Sequence, residues 1–127
     1  MTKLKCLRPI LWTKNFDESI DFYREILDFS VGERNDDWQW ASIFKDKVEI
    51  MLSAPNSHSL SEKIGFTGSF YFNVNNVDEL WEDLKSKTKI CYDIENFDWG
   101  MREFAICDNN NYILQFGQDI PNFLKEE

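Results

Sequence analysis

Two segments in the two halves of the chain carry the same helix-start pattern, and this repeat restricts the fold more than any other feature. They read Asn15-Phe16-Asp17-Glu18 and Asn76-Val77-Asp78-Glu79. In each, the asparagine can cap free helix amides, and the glutamate three residues later can reach back to it. Apolar residues then recur at helical spacing: Phe16, Ile20, Tyr23 and Leu27 in the first half, and Val77, Leu80, Trp81 and Leu84 in the second. The repeat indicates an internal duplication.

Strand-like segments surround each helix in the same order. We expect them over residues 4–13, 29–33, 38–44 and 48–52, and then over 69–75, 89–93, 101–107 and 112–117. Pro9 restricts the first strand to the edge of a sheet, or itself to a strand end or a bulge, because proline has no amide hydrogen. The sequence thus predicts two βαβββ modules, residues 4–53 and 67–118, joined by a linker over 54–66. Neither module closes its sheet alone, so we expect one α+β domain, 1–127, with a cupped, barrel-like mixed sheet.

Composition excludes several classes of partner. The 127 residues carry a formal net charge of −9, which argues against nucleic acid and anionic membranes because both require a basic surface. The same charge is compatible with a cationic ligand. The chain has no apolar run near the ~20 residues that span a bilayer. It has no recognisable signal peptide, so we expect a cytoplasmic protein.

Cysteine and histidine usage offers little for nucleophilic or metal chemistry. The three cysteines, Cys6, Cys91 and Cys107, have no metal-type spacing, and each has apolar neighbours. We therefore predict free, buried thiols in a reducing compartment. His58 is the only histidine and lies in a polar stretch, which disfavours a Cys–His or Ser–His pair.

Two motifs resemble those of the glyoxalase/bleomycin-resistance/dioxygenase (vicinal oxygen chelate) superfamily. The first combines Pro9-Ile10-Leu11 with the acidic helix start and Phe22-Tyr23. The second is Trp99-Gly100-Met101-Arg102-Glu103-Phe104 followed by Asp108-Asn109-Asn110-Asn111 and the last strand. Asparagine replaces the family's proline and glycine in that turn, and it tolerates the left-handed backbone conformation that a tight turn needs. Pro9 and the Phe-Gly end of the last strand are closest to the bleomycin-resistance branch.

The resemblance also implies where a metal would be held. Metal-using members place His and Glu at four inward-facing strand positions, which correspond here to Arg8, Ser69, Gln115 and either Met51 or Glu49. Arginine, serine, glutamine and methionine do not form a divalent site, and Arg8 would repel a cation. We therefore expect no metal and no other cofactor.

Aromatic and charged residues near those positions are the candidates for ligand contact. Trp38 and Trp40 are expected on one strand face, and Tyr71 on the same face as Ser69. Trp38 and Trp99, at loop–strand junctions, are the first candidates for stacking on a flat ligand. Arg102 and Glu103 point to opposite faces, and one of them should face the cleft. The predicted ligand-binding residues are Arg8, Trp38, Trp40, Met51, Ser69, Tyr71, Trp99, Arg102 and Gln115.

Three functions remain open at this point. The favoured one is a metal-free, non-catalytic protein of the bleomycin-resistance type that sequesters a cationic aromatic compound. The resemblance implies a homodimer with crevices at the subunit interface. The second is a lyase, isomerase or dioxygenase of the same superfamily, with a metal or with Glu49, Tyr71 and Glu103 as acids or bases. The third is a structural relative that binds no ligand.

Overall fold

A computed structural model describes residues 2–55, 65–66 and 68–121 of the chain. The chain divides into two compact units, with the boundary between Ile64 and Gly65. Most of the predicted linker, the last residues of the chain and His58 lie outside the described residues.

The first unit is a four-stranded sheet with one helix. Its elements are β1 (Ile10–Trp12), α1 (Phe16–Asp21), β2 (Ser30–Asn35), β3 (Trp40–Lys45) and β4 (Val48–Ser53). The strand order is β1-β4-β3-β2. β1 runs parallel to β4, and the other pairs are antiparallel. The sheet is therefore open and mixed.

The first strand is shorter than the sequence predicts. It begins only after Pro9, and the Pro9 carbonyl accepts a hydrogen bond of 2.8 Å from the Met51 amide. Residues 2–8 are exposed, including Leu4 at 99% and Leu7 at 86%. The predicted strand over residues 4–13 is wrong over its first six residues, because proline offers no amide hydrogen to start the ladder earlier.

The first helix has the predicted apolar face but a different start. α1 continues into a π-helical turn, Phe22–Ile26, and the four predicted face residues are all buried: Phe16, Ile20, Tyr23 and Leu27. Asn15 stands at the N-cap position, yet its side chain makes no capping hydrogen bond. The Asn15 amide donates instead to the Thr13 hydroxyl, which is paired with the Ser19 hydroxyl at 2.7 Å. The predicted capping by Asn15 is therefore wrong.

The second unit repeats the arrangement. Its elements are β5 (Phe70–Asn73), α2 (Val77–Leu84), β6 (Lys89–Asn96), β7 (Met101–Cys107) and β8 (Ile113–Asp119). The order β5-β8-β7-β6, with β5 parallel to β8, is the order of the first sheet. The α+β fold with two βαβββ modules is confirmed. Here the capping prediction holds, because Asn76 Oδ1 accepts from the Glu79 amide at 3.1 Å.

The two faces of the second sheet differ in character. On the helix side, the Trp81 ring of α2 lies 5.2 Å from the Phe104 ring, centroid to centroid. The strand residues that point to this side are buried and apolar: Phe104, Ile106, Leu114 and Phe116. The face away from α2 carries the intervening residues, Glu103 and Ala105 on β7 and Gln115 and Gly117 on β8. Its polar side chains therefore lie opposite the apolar core of the unit.

Candidate functional site

A buried carboxylate, Glu103, lies on the face of the second sheet that points away from α2. It is 1% exposed. Its Oε1 accepts hydrogen bonds from Tyr71 Oη at 2.9 Å and from Trp99 Nε1 at 2.8 Å, and its Oε2 accepts from Tyr92 Oη. Hydrogen bonds to charged groups are among the stronger ones, and three of them here hold a carboxylate away from water. We call these four residues the Glu103 site.

Gly117 allows Tyr71 to reach the carboxylate. Tyr71 lies on β5, Glu103 on β7, and β8 runs between them. Gly117 on β8 pairs directly with Glu103. A Cβ at Gly117 would lie 2.0 Å from Tyr71 Oη and 2.7 Å from its Cζ. The phenol therefore crosses β8 through space that any other residue would fill.

Ala105 has a similar role on the other side of the site. It pairs with Tyr92 on β6 and with Gln115 on β8. Over this small residue, Gln115 Nε2 donates to Tyr92 Oη at 2.9 Å. The Ser69 hydroxyl donates to Gln115 Oε1 at 2.5 Å. Ser69, Gln115, Tyr92 and Glu103 thus form one continuous chain of hydrogen bonds.

All protons in this chain are donated in the direction of Glu103. Ser69 donates to Gln115, Gln115 to Tyr92, and Tyr92 to the carboxylate. Tyr71 and Trp99 donate to it from the other side. The Glu103 carboxylate is therefore surrounded by donors that the protein supplies, while the Tyr71 hydroxyl beside it keeps its acceptor lone pairs. That arrangement is complementary to a positively charged ligand with N–H groups.

Both phenols hold their protons at neutral pH. Burial, and then the hydrogen bond to Glu103, raise the pKa of Tyr92 to about 12, although the bond from Gln115 lowers it. The pKa of Tyr71 is raised further, again first by burial and then by Glu103. Each phenol therefore remains a donor to the carboxylate over the physiological range.

Aromatic rings flank the carboxylate. The Phe97 ring stacks on the Trp99 ring with centroids 4.6 Å apart, and the Tyr92 ring meets Phe97 edge-on at 5.6 Å. Trp99 is still 54% exposed and Tyr71 41% exposed. Because Phe97 covers one face of the indole, the other face is the one that a ligand ring could cover.

Four of the predicted ligand-binding residues come together in the second unit: Ser69, Tyr71, Trp99 and Gln115. Arg102 does not join them. Its Nε and Nη2 bind Asp78 Oδ1 at 3.0 and 2.8 Å, and its Nη1 donates to Asn96. Arg102 therefore links β7 to the start of α2, while Glu103, the next residue, faces the site, as the alternation along a strand requires.

The other four predicted ligand-binding residues lie in the first unit. Arg8 Nε forms an ion pair of 3.1 Å with Glu49. Met51, two residues further along β4, pairs with Ile10 and Ser42. In the remaining two cases, Trp40 begins β3, and Trp38 is 74% exposed in the turn before it. The expectation that the two tryptophans share a strand face does not hold, because the strand starts two residues later than predicted.

The four family metal positions do not fit a divalent ion. Arg8 is a permanent cation already paired with Glu49. The Ser69 hydroxyl donates a hydrogen bond to the Gln115 side-chain carbonyl. Within residues 2–55, 65–66 and 68–121, no group of three or more His, Cys, Asp or Glu side chains could hold a metal. The donor chemistry of this chain therefore differs from that of a chelating site.

Sequence reasoning missed the centre of the site. The sequence offers Glu103 as one of a charged pair, as an acid–base candidate, or as a ligand contact if it and not Arg102 faces the cleft. Glu103, Tyr92 and Phe97 are nevertheless absent from the predicted ligand-binding residues. One signal was available: Glu103 is a charged residue inside the strand Met101–Cys107, and the three residues that follow it in that strand are apolar. A charge at such a position is normally buried only with partners.

Comparisons with known proteins agree on the family and the fold. A model of the Glyoxalase/Bleomycin resistance protein/Dioxygenase superfamily matches residues 5–116. A superfamily member from Sphaerobacter thermophilus is similar at a TM-score of 0.79 and 15% identity, covering 92% of this chain and 98% of its own. A Nocardioides member has a TM-score of 0.78 and 13% identity, with coverages of 100% and 91%. A lactoylglutathione lyase from Agrobacterium tumefaciens has a TM-score of 0.68 and 13% identity, covering 93% and 96%.

Two further findings complete the comparison. No curated protein matches the chain. Among the described residues, none of the helices has the length and apolar character required to cross a membrane.

Proposed function

Because the chain belongs to the Glyoxalase/Bleomycin resistance protein/Dioxygenase superfamily, we propose that it is a metal-free binding protein whose Glu103 site takes an aromatic organic cation. One observation carries the proposal: a carboxylate that is 1% exposed accepts three hydrogen bonds from aromatic side chains. A ligand ammonium would compensate that charge, and its ring would cover the open face of Trp99.

The charge of the whole chain supports a cationic ligand. The net charge of −9 attracts cations over long range. At the site, the buried carboxylate supplies a short-range interaction that solvent screens less than it screens a surface pair. Cation–π contact with Trp99 and Tyr71 would add about 0.5–2 kcal/mol.

The same contacts favour binding over catalysis. Both oxygens of Glu103 already accept hydrogen bonds, which suits an anion that holds a cation in place. The raised pKa values of Tyr71 and Tyr92 oppose phenolate formation, so neither phenol acts as a base near neutral pH. The site is therefore built to present a fixed charge between rings.

Three probes that share one ring system test the proposal. They are 1-naphthylmethylammonium, the neutral 1-naphthylmethanol and the anionic 1-naphthoate, each titrated by calorimetry. We expect the ammonium to bind more tightly than the alcohol by about tenfold or more, about 1.4 kcal/mol. The anionic 1-naphthoate should not bind measurably, because its negative charge would be repelled by that of Glu103. Equal affinity for all three probes would contradict the proposal.

Glu103→Gln and Glu95→Gln form a matched pair of variants. Both remove one negative charge, and the two residues pair directly across β6 and β7, but Glu95 is exposed. We expect Glu103→Gln to weaken ammonium binding about 30-fold or more, since losing one partner of a buried charge pair costs about 2 kcal/mol or more. Glu95→Gln should change it less than about threefold.

Tyr71→Phe provides a second test if Glu103→Gln does not fold. It removes one donor to the carboxylate and one acceptor for the ligand, yet leaves the ring in place. Tyr71 is 41% exposed, so we expect the fold to persist and ammonium binding to weaken by several-fold, about 1 kcal/mol. Unchanged affinity in this folded variant would count against the site.

Two further parts of the proposal concern metal and assembly. We propose that binding needs no metal, and stoichiometric iron, zinc, nickel or manganese in the purified protein would contradict this.

We also propose a homodimer, as the family resemblance implies. Leu4 and Leu7, exposed at 99% and 86%, would be covered in such a dimer. Sedimentation should show two copies, and Leu4→Ser with Leu7→Ser should shift the mass towards one.

A further inference from the structure

Two cysteines of the second unit lie side by side across neighbouring strands. In the β6–β7 pair, Lys89 lies opposite Cys107, and Ile90 lies opposite Ile106. The register then shifts, so that Tyr92, and not Cys91, lies opposite Ala105. Cys91 is thus the extra residue of a β-bulge, diagonal to Cys107. Cys91 lies near enough to Cys107 to contribute to the raised pKa of the Cys107 thiol.

The two thiols differ in access to solvent. Cys91 is exposed, and Cys107 is half-buried. Burial is the main cause that raises the pKa of the Cys107 thiol, and neighbouring Cys91 raises it further. An oxidant in solution therefore reaches Cys91 first, with Cys107 held beside it as a protonated partner. The expectation of three free, buried thiols is therefore wrong about burial, since Cys6 and Cys91 are exposed and Cys107 is half-buried.

The bulge also connects the thiols to the binding site. Tyr92 follows Cys91 directly, and its hydroxyl donates to Glu103 and accepts from Gln115. Edge strands and bulges yield more easily than central strands, because one side of the ladder is unpaired. β6 is the last strand in the order of its sheet, where β7 is its neighbour, and Tyr92 directly follows the bulged residue.

We propose that Cys91 and Cys107 are a peroxide-sensitive dithiol whose closure to a disulfide displaces Tyr92 from Glu103 and weakens ligand binding. In the first step, the Cys91 thiolate attacks one oxygen of hydrogen peroxide. The O–O bond breaks, the departing hydroxide takes up the proton that the Cys91 thiol released and leaves as water, and Cys91 becomes a sulfenic acid. In the second step, the Cys107 sulfur attacks the Cys91 sulfur, the S–O bond breaks, and the departing hydroxide takes the Cys107 proton and leaves as a second water. Two thiols are oxidised by two electrons, and one peroxide is reduced to two waters.

Bond formation requires a change of geometry at the bulge. A disulfide holds its sulfurs about 2 Å apart, closer than two unbonded thiols can approach, and holds the two Cα atoms within about 7 Å. The strand that yields is β6, which carries Cys91. The expected loss of ligand binding rests on the proposed function. Formation of the disulfide does not depend on it.

Mass spectrometry of the Cys6→Ser variant tests the disulfide. This change removes the only other cysteine of the chain. After treatment with hydrogen peroxide, we expect the intact mass to fall by two hydrogens, with no oxygen added and with the loss of both free thiols. The species should remain a single chain without reductant. Peroxide treatment that leaves Cys107 as a free thiol while Cys91 gains oxygen, or that links two chains, would contradict the proposal.

Matched variants separate the disulfide from its effect on binding. We expect Cys6→Ser protein to bind 1-naphthylmethylammonium several-fold more weakly after oxidation and to recover with dithiothreitol. The Cys6→Ser, Cys91→Ser, Cys107→Ser variant should show no peroxide effect. A disulfide that forms without a change in affinity would overturn the coupling to Tyr92. If no probe binds even the reduced protein, the coupling is followed by the absorbance titration of Tyr92, which should move to lower pH on oxidation.

Discussion

Gly117 is the residue on which the geometry of the Glu103 site depends most directly. The phenol of Tyr71 occupies the space where another residue would have its Cβ, 2.0 Å from Oη. The glycine is needed here for close approach between side chain and backbone, and not for an unusual turn.

Gly117→Ala should force Tyr71 away from Glu103. We expect the free energy of unfolding to fall by about 1–3 kcal/mol, because one hydrogen bond to a charged group is lost. In a Tyr71→Ala background the same change should cost less than about 0.5 kcal/mol, because no ring is left to displace. Urea unfolding of the four proteins measures the difference. An equal cost in both backgrounds would show that the clash lies elsewhere.

Tyr92 should make stability depend on pH in the alkaline range. Its pKa is about 12 in the folded protein against an ordinary value of 10.0, so its proton favours the folded state. That contribution is complete below pH 10 and is lost as the pH rises through about 12. We expect the stability difference between the native protein and Tyr92→Phe to be constant below pH 10 and to shrink above it. Urea unfolding at a series of pH values checks this.

At the scale of elements, the two helix starts provide a matched comparison. Asn76 Oδ1 accepts from the Glu79 amide, whereas the Asn15 side chain makes no cap hydrogen bond. We expect Asn76→Ala to lower the free energy of unfolding by about 1 kcal/mol. Asn15→Ala should lower it by less than about 0.5 kcal/mol. Thermal or urea unfolding distinguishes them, and equal losses would mean that the caps are equivalent in solution.

Local pattern was sufficient to predict most elements. The second module's strand Met101–Cys107 has the predicted limits, and both helices begin after the predicted asparagines. The turn after β7 also forms as expected, with Asn111 at φ 65° in the left-handed region. These features depend on residues close in sequence. The start of β1 follows from Pro9, and the Asn15 side chain does not cap the helix, whereas the Asn15 amide donates to the Thr13 hydroxyl. Helical spacing and strand alternation do not distinguish between such local bonds, so the pattern did not predict them.

At the scale of the whole molecule, charge should act on binding at two ranges. The net charge of −9 acts through solvent, where the Debye length falls from about 30 Å at about 0.01 M salt to about 3 Å at about 1 M. We expect affinity for 1-naphthylmethylammonium to fall several-fold over that range. The ratio of affinities between native protein and Glu103→Gln should change little, because the buried pair is screened less. A ratio that collapses to one in high salt would place the interaction at the surface.

The sequence by itself determined the duplicated βαβββ plan and the apolar helix faces. These follow from residue type and spacing, which act locally and repeat along the chain. Only the tertiary structure decided that Glu103 is the centre of the candidate site and that Cys91 lies diagonal to Cys107 across β6 and β7. Both depend on which residues lie across a strand or at a bulge, where Gly117 and Ala105 leave room. Such diagonal contacts join residues far apart in sequence, so periodicity alone does not reveal them.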